Sequence, residues 1–263
     1  VVEAQAHPQT QMQHGRRPVV LVTGAGRRRG IAAGVALRLA QAGWDVGLTW
    51  WTPYDARMPW GEHPDDPASL LADLTAAGAR ATGAQVDLSD PAGPAAAFDA
   101  VQGELGPVTA LVVCHCEGVP SSVLDTTVES FDRHLAVNAR AVWLLVREHA
   151  LRFRDAGLAP GSGRVVALTS DHTTHNLPYG ASKGALERIV VAAAEELGGL
   201  GISSNALGPG GHPAPAPRHP GRHRRPRGVP PVTARRLGER PGAVQQRRLP
   251  HPPLISHARR KPV

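Results

Sequence analysis

A tyrosine and a lysine stand four residues apart in Tyr179-Gly-Ala-Ser-Lys183. On a helix that spacing puts them one turn apart on the same face. An ammonium beside a phenol favours the phenolate, so the spacing predicts a tyrosine whose pKa is lowered toward neutrality. Such a phenol can hand a proton to a developing alkoxide or take one from an alcohol. A surface lysine next to a half-buried tyrosine has the same spacing. The chemistry therefore depends on what the rest of the chain brings to this pair.

The elements that must position the pair begin upstream. Val19-Val20-Leu21-Val22 is a continuous apolar run, suited to a strand buried on both faces of a parallel sheet. It ends in Thr23-Gly24-Ala25-Gly26-Arg27-Arg28-Arg29-Gly30-Ile31-Ala32, and Ile31, Val35, Leu39 and Ala42 then recur at helical spacing up to Gly43. Strand, glycine turn and helix form a dinucleotide-binding unit, in which the backbone approaches a pyrophosphate closely and the helix N-terminus faces it. This predicts cofactor contacts at Thr23, Gly24, Arg27, Arg28, Gly30 and Ile31. A second strand spans Trp44 to Trp51 and ends without an acid to accept hydrogen bonds from an adenosine ribose. With three arginines in the glycine turn, the expectation is NADP(H) over NAD(H), because a 2′-phosphate suits cationic bidentate donors. A solvated run of loop charge is the alternative reading of Arg27–Arg29.

Residues 52–66 read as a loop, and the three tryptophans in residues 50–60 wall the adenosine side or, by preference, cover the sheet edge. A short helix (Ala68–Ala77), a third strand near Arg80–Val86, a helix over Ala95–Leu105 and a fourth strand at Val108–Val113 follow. Asp87 is placed to meet the adenine amino group or to cap the next helix, for which Asp90 is better placed. Cys114-His115-Cys116 invites a metal reading. Adjacent residues on an extended segment point to opposite faces and no second ligand pair follows, so no metal is expected. A long helix runs from Val128 to Phe153, with Asn138 at a mid-helix position where asparagine is disfavoured and could kink the helix or hold water. A fifth strand, Arg164–Thr169, ends at Ser170, where ligands of open α/β sheets bind. A helix from Leu177 through Leu197 and a short strand at Ile202–Leu207 complete the pattern.

The ordered set TGAGRRRGIA, Asn138, Ser170, Tyr179-x-x-x-Lys183 and Asn205-Ala-Leu-Gly-Pro209-Gly210 resembles the short-chain dehydrogenase/reductase family over roughly residues 18–211, most of all its 3-oxoacyl-carrier-protein-reductase-like members. The resemblance implies a three-layer, Rossmann-type doubly wound parallel sheet and an enzyme reducing a ketone to a secondary alcohol with NADPH. It implies Tyr179 as general acid, Lys183 lowering its pKa and holding the nicotinamide ribose, Ser170 binding the carbonyl oxygen, and Asn138 supporting a water that feeds a proton relay. It adds Pro209 and Gly210 to the cofactor contacts and suggests a dimer or tetramer formed through the helices that carry Asn138 and Tyr179. The chain also departs from the family pattern. The glycine turn is two residues longer, with Ala32 where the last glycine would stand. Val113-Cys114-His115-Cys116 replaces Asn-Asn-Ala-Gly and its side-chain support, and the Ser170-to-Tyr179 gap is about four residues short, which loosens the placement of Ser170.

Charge divides the 263 residues near position 207. Residues 1–207 hold 16 Lys and Arg against 21 Asp and Glu, and residues 208–263 hold 13 against the single Glu239, giving the formal +7. Three segments follow: an N-terminal arm over 1–17, a sheet domain over 18–207, and a Pro/Arg-rich tail over 208–263 expected to be disordered. The tail reads as an out-of-frame translation of a GC-rich gene, as a basic arm for nucleic acid or another polyanion, or as an inert linker, with the first preferred and nucleic acid disfavoured. In the first case the enzyme is a catalytically impaired remnant, its sheet edge and substrate pocket left open where a last strand and capping helices would lie. Two cysteines one residue apart give no disulfide framework, no apolar run approaches a membrane span, and no signal pattern opens the chain, all of which suit a cytoplasmic enzyme with a small-molecule carbonyl or alcohol substrate.

Overall fold

Continuous apolar runs become central strands, and glycines end the helices between them. The computed structural model describes residues 17–171 and 175–208. Six parallel strands form one sheet: β1 (Val19–Thr23), β2 (Asp45–Trp50), β3 (Ala81–Gln85), β4 (Val108–Val113), β5 (Gly163–Leu168) and β6 (Ile202–Leu207), in the spatial order β3-β2-β1-β4-β5-β6. The order reverses between β1 and β4, so a crevice opens beyond the carboxyl ends of those two strands.

Two apolar cores lie on the two faces of this sheet. On one face Val20, Val22, Val46 and Leu48 meet α1 (Ile31–Gln41) and α3 (Asp66–Ala76), through Ala33, Ala36, Leu70 and Leu74. On the other, Leu21, Leu111, Val113 and Val165 meet α4 (Gly93–Leu105), α6 (Ala141–Asp155) and α7 (Leu177–Glu196), through Phe98, Leu145, Phe153 and Leu186. The layered, doubly wound sheet expected from the sequence is therefore present. Among the described residues β6 is an edge strand, and its end is open: Leu207 is 55% exposed. The tail, with Pro209 and Gly210, lies outside the described residues, as do residues 1–16. Arg17 does not belong to a free arm. Its guanidinium donates to the carbonyls of Ala40 and Gly78, and it faces the buried carboxylate of Asp45.

Two elements differ from the sequence reading. Residues 52–66 are not all loop, because Thr52–Ala56 forms a short helix, α2, with Pro53 in its first turn, a position where the missing N–H costs nothing. The helix expected from Val128 to Phe153 is interrupted. It consists of α5 (Val128–Leu135), a π-helical turn over Ala136–Arg140, and α6. Asn138 lies in that turn, so the irregularity anticipated for it takes the form of a π-bulge, a feature common at functional sites.

Candidate active site

The site assembles where β1, β4, the π turn and α7 converge. Gly24 follows β1 with φ +78, a conformation that glycine adopts without a Cβ penalty. A Cβ there would stand 2.6 Å from the backbone of His115, so glycine is what lets the two strand ends touch. His115 then ties them together. The carbonyl of Val137 can only accept, which puts the ring proton on Nε2 (3.0 Å) and leaves Nδ1 to accept from the Thr23 hydroxyl at 2.7 Å. The Thr23 hydroxyl oxygen in turn accepts from the Cys114 N–H at 3.2 Å. Burial first, and the Lys183 charge second, lower the imidazole pKa to about 4, so it is neutral.

One sequence expectation changes here. Replacing the asparagines after β4 does not remove side-chain support, because His115 supplies it with both ring nitrogens engaged. Thr23 is fully buried in this scaffold.

Asn138 completes the frame. Its Oδ1 accepts from the Glu117 N–H at 2.7 Å, and its Nδ2 donates to the Glu117 carbonyl at 2.8 Å and to Ser182 Oγ at 2.9 Å. The Ser182 hydroxyl donates to the Tyr179 carbonyl at 2.8 Å. The fully buried amide thus fixes the backbone beyond β4 to the first turns of α7. His134, one turn before Asn138, works beside it: its Nδ1 donates to the Ser130 carbonyl and its Nε2 accepts from the Val119 N–H.

On this frame Tyr179, Ser170 and Lys183 come together. The Ser170 hydroxyl hydrogen-bonds to the Tyr179 phenol, so the shortened gap between them does not pull them apart. Lys183 is almost fully buried. Its Nζ donates to the Leu168 carbonyl at 2.7 Å and lies 5.7 Å from the Tyr179 ring centroid. The expected depression of the phenol is not what this geometry gives. Burial, followed by the neighbouring Cys116, pushes Tyr179 above its ordinary value, and the Ser170 hydrogen bond only opposes this. Burial likewise holds Lys183 below its ordinary value. At neutral pH the phenol is a neutral proton donor.

The crevice beyond β1 and β4 is lined by Gly24, Gly26, Arg27, Thr49, Asp87 and Cys116 among others. Asp87 also holds its own turn, with Oδ1 accepting from the Ser89 N–H and hydroxyl, while Asp90 accepts from the Ala92 N–H. Gly30 is the N-cap of α1, a helix with neither a side-chain cap nor an acid in its first turn, and Ile31 is 59% exposed beside it. That end of α1 keeps its positive dipole for an anion. Arg28 turns away. Its backbone N–H donates to Asp66 and its guanidinium pairs with Asp73 of α3. The tryptophans also depart from expectation, for Trp50, Trp51 and Trp60 wall the crevice.

The segment after β2 carries no local signal for the course it takes. α2 folds back over the crevice, and Arg57 makes a two-pronged ion pair with the buried Glu117, at 3.1 and 2.9 Å. Asp55 accepts from Trp60 Nε1 at 2.9 Å and faces Arg27 Nε at 3.5 Å, and the Arg27 guanidinium lies 4.2 Å from the Trp60 ring centroid. With this strap in place the crevice measures about 170 Å³, below the ~300 Å³ at which ligand pockets usually begin. The Thr49 hydroxyl in its wall is buried without a hydrogen-bond partner, a position that calls for a polar ligand. No group of residues suited to a metal occurs among the described residues, and no helix there is long and apolar enough to cross a membrane.

Comparison with known proteins agrees with this geometry. A family profile described as "Enoyl-(Acyl carrier protein) reductase" matches residues 24–225, reaching into the segment that charge sets apart. The chain is 33% identical over 202 residues to the "NADPH-dependent aldehyde reductase-like protein, chloroplastic" of Arabidopsis thaliana, covering 73% of this chain and 71% of that one. It is 29% identical over 203 residues to the "Uncharacterized oxidoreductase YjdA" of Bacillus subtilis, covering 76% of each. Among solved structures, acetoin dehydrogenase from Enterobacter cloacae superposes with a TM-score of 0.64 at 26% identity, over 74% of each chain.

Proposed function

The chain belongs to the short-chain dehydrogenase/reductase family of NAD(P)-dependent oxidoreductases, and from that premise we propose that it reduces a ketone to a secondary alcohol with NADPH. The observation that carries this reading is the hydrogen-bonded pair of Ser170 and Tyr179 hydroxyls. They lie at the end of β5 and the start of α7, with Lys183 one helical turn on.

A phenol raised by burial is protonated at neutral pH, which suits the donor of a reduction. The Tyr179 O–H gives its proton to the carbonyl oxygen as that oxygen gains negative charge. The Ser170 hydroxyl donates to the same oxygen, a positioned contact whose loss typically costs about 3 kcal/mol of barrier. Lys183, held by the Leu168 carbonyl, keeps a positive charge near the phenolate that remains and is placed to meet the nicotinamide ribose. Asn138, His115 and Ser182 hold the strand end and the helix in register. The nicotinamide, when bound, supplies the hydride to the carbonyl carbon.

The lining of the crevice, though closed by α2, carries groups that suit a dinucleotide: the Thr49 hydroxyl lacks a partner, α1 presents an uncapped end, and Gly24 and Gly26 allow close backbone approach. Arg27 supports NADPH, as does the NADPH dependence for which the Arabidopsis relative is named. By resemblance alone, 3-oxoacyl thioesters and similar ketones are the substrates to try first. The test follows NADPH absorbance with a panel of such ketones. Consumption that depends on the ketone and is lost in Tyr179→Phe supports the reading, whereas equal consumption by that variant removes Tyr179 from the mechanism.

A further inference from the structure

We propose that α2 is an autoinhibitory strap: the Tyr54 phenol plugs the passage from the crevice to Tyr179, and the ion pair of Arg57 with Glu117 latches it there. The inference rests on the proposed dinucleotide reading for what must pass, though the strap itself does not depend on it. Tyr54, Cys116 and Glu117 belong to the crevice wall. The next residue, Gly118, lies against the catalytic tyrosine. A Cβ on Gly118 would stand 3.9 Å from the Tyr179 ring and 3.4 Å from the Tyr54 hydroxyl oxygen. The strap thus reaches the edge of the catalytic pair. A nicotinamide that is to meet a carbonyl beside Tyr179 has to pass the point that Tyr54 holds.

The contacts that hold the plug come from side chains. Trp60 meets the Tyr54 ring edge-on at 6.3 Å between centroids, and the Arg57 guanidinium lies 5.4 Å from the same ring. Arg57 is anchored in turn by both oxygens of Glu117, whose N–H and carbonyl Asn138 fixes. Asp55, facing Arg27 at 3.5 Å, is a second and looser hold. The helix alone holds nothing, because five residues are too few to be stable by themselves. Its start is tied to β3, where the Thr52 hydroxyl donates to Gln85 at 2.6 Å. Its other end depends on the latch, so releasing Arg57 frees the end that carries the plug. The Arg57 side chain is 42% exposed against 4% for Glu117, so water reaches the latch from the arginine side. Loss of a two-pronged, charge-assisted pair raises the open population about tenfold.

The test uses Cys116, in the wall beneath the strap, as a probe that needs no nucleotide. With Cys114→Ser it is the only thiol of the chain. N-ethylmaleimide labelling is timed in the full chain carrying Cys114→Ser, alone and with Arg57→Gln or Tyr54→Ala added. A thermal melt shows that each is folded, and stopped-flow fluorescence follows NADPH association in the same proteins. The inference expects labelling about tenfold faster in both variants, with NADPH association faster as well. Equal labelling rates in the folded variants overturn the strap and leave the proposed function standing. Faster labelling with unchanged NADPH association overturns the plug. Faster labelling with no nucleotide bound by any of the proteins supports the strap and overturns the dinucleotide reading. If Arg57→Gln does not fold, Tyr54→Ala decides alone.

Discussion

Asn138→Ala separates two accounts of the same residue. The amide is fully buried and makes three hydrogen bonds, two of them to the backbone of Glu117, which is itself 3% exposed. Truncation leaves the Glu117 N–H and carbonyl without partners, whereas Ser182 keeps its bond to the Tyr179 carbonyl. Each orphaned buried group costs about 1–3 kcal/mol. Water entering the vacated space restores part of that, so the net loss is about 3 kcal/mol. For a domain of this size, that corresponds to a drop in melting temperature of about 6–12 °C. Differential scanning fluorimetry and urea unfolding measure the loss, and a nucleotide titration shows how far the crevice loosens with it. If Asn138 serves only a water in a proton relay, the variant melts within about 2 °C of wild type while turnover falls. That result would refute the scaffold assigned to it.

Two further outcomes follow from buried groups. His149 is fully buried, has no partner on either ring nitrogen, and packs beside Phe98 and Phe153, so burial lowers its pKa to about 4 from the ordinary 6.5. The unfolded chain therefore binds the extra proton between those values, and stability that is complete above pH 6.5 falls as the pH drops toward 4, by about 3 kcal/mol for this group. His149→Phe should flatten that acid slope in urea titrations, leaving the share due to His115; an unchanged slope counts against the assignment. Arg57→Ala unlatches α2 from Glu117, so stopped-flow should show dinucleotide association several-fold faster, alongside a stability loss of about 3 kcal/mol from the buried unpaired carboxylate. Equal association rates would mean that the strap does not gate the crevice.

The sheet was legible because it is built from local signals. Val19–Val22 is apolar on both faces and Val108–Val113 nearly so, Gly43 and Gly78 stop helices, and the alternation of strand and helix points to a parallel sheet. Tyr179, Ser170 and Lys183 were legible as a spacing, but their electrostatics were not. Sequence distance does not say that Lys183 turns its ammonium to the Leu168 carbonyl or that burial dominates the phenol. α2 was not legible because five residues beginning Thr-Pro carry too little periodicity to reveal a helix, and it is that helix that brings Asp55 back to Gly26. The partners of the Arg28 and Thr23 side chains, Asp73 and His115, lie 45 and 92 residues away, too far for a local motif to reveal. One further signal is present in the sequence: His134 sits one helical turn before Asn138 and Ser182 one turn after Tyr179, where a buried polar residue commonly serves as support.

The central claim is that Tyr179 protonates a carbonyl while a bound nicotinamide delivers hydride, and single-turnover reduction with NADPH deuterated at C4 tests it most directly. The account predicts deuterium on the carbinol carbon of the product in wild type, and in Tyr179→Phe a loss of that transfer with nucleotide affinity retained. Label transferred at the same rate by both proteins, or nucleotide bound tightly with no transfer to any ketone of the panel, would contradict it.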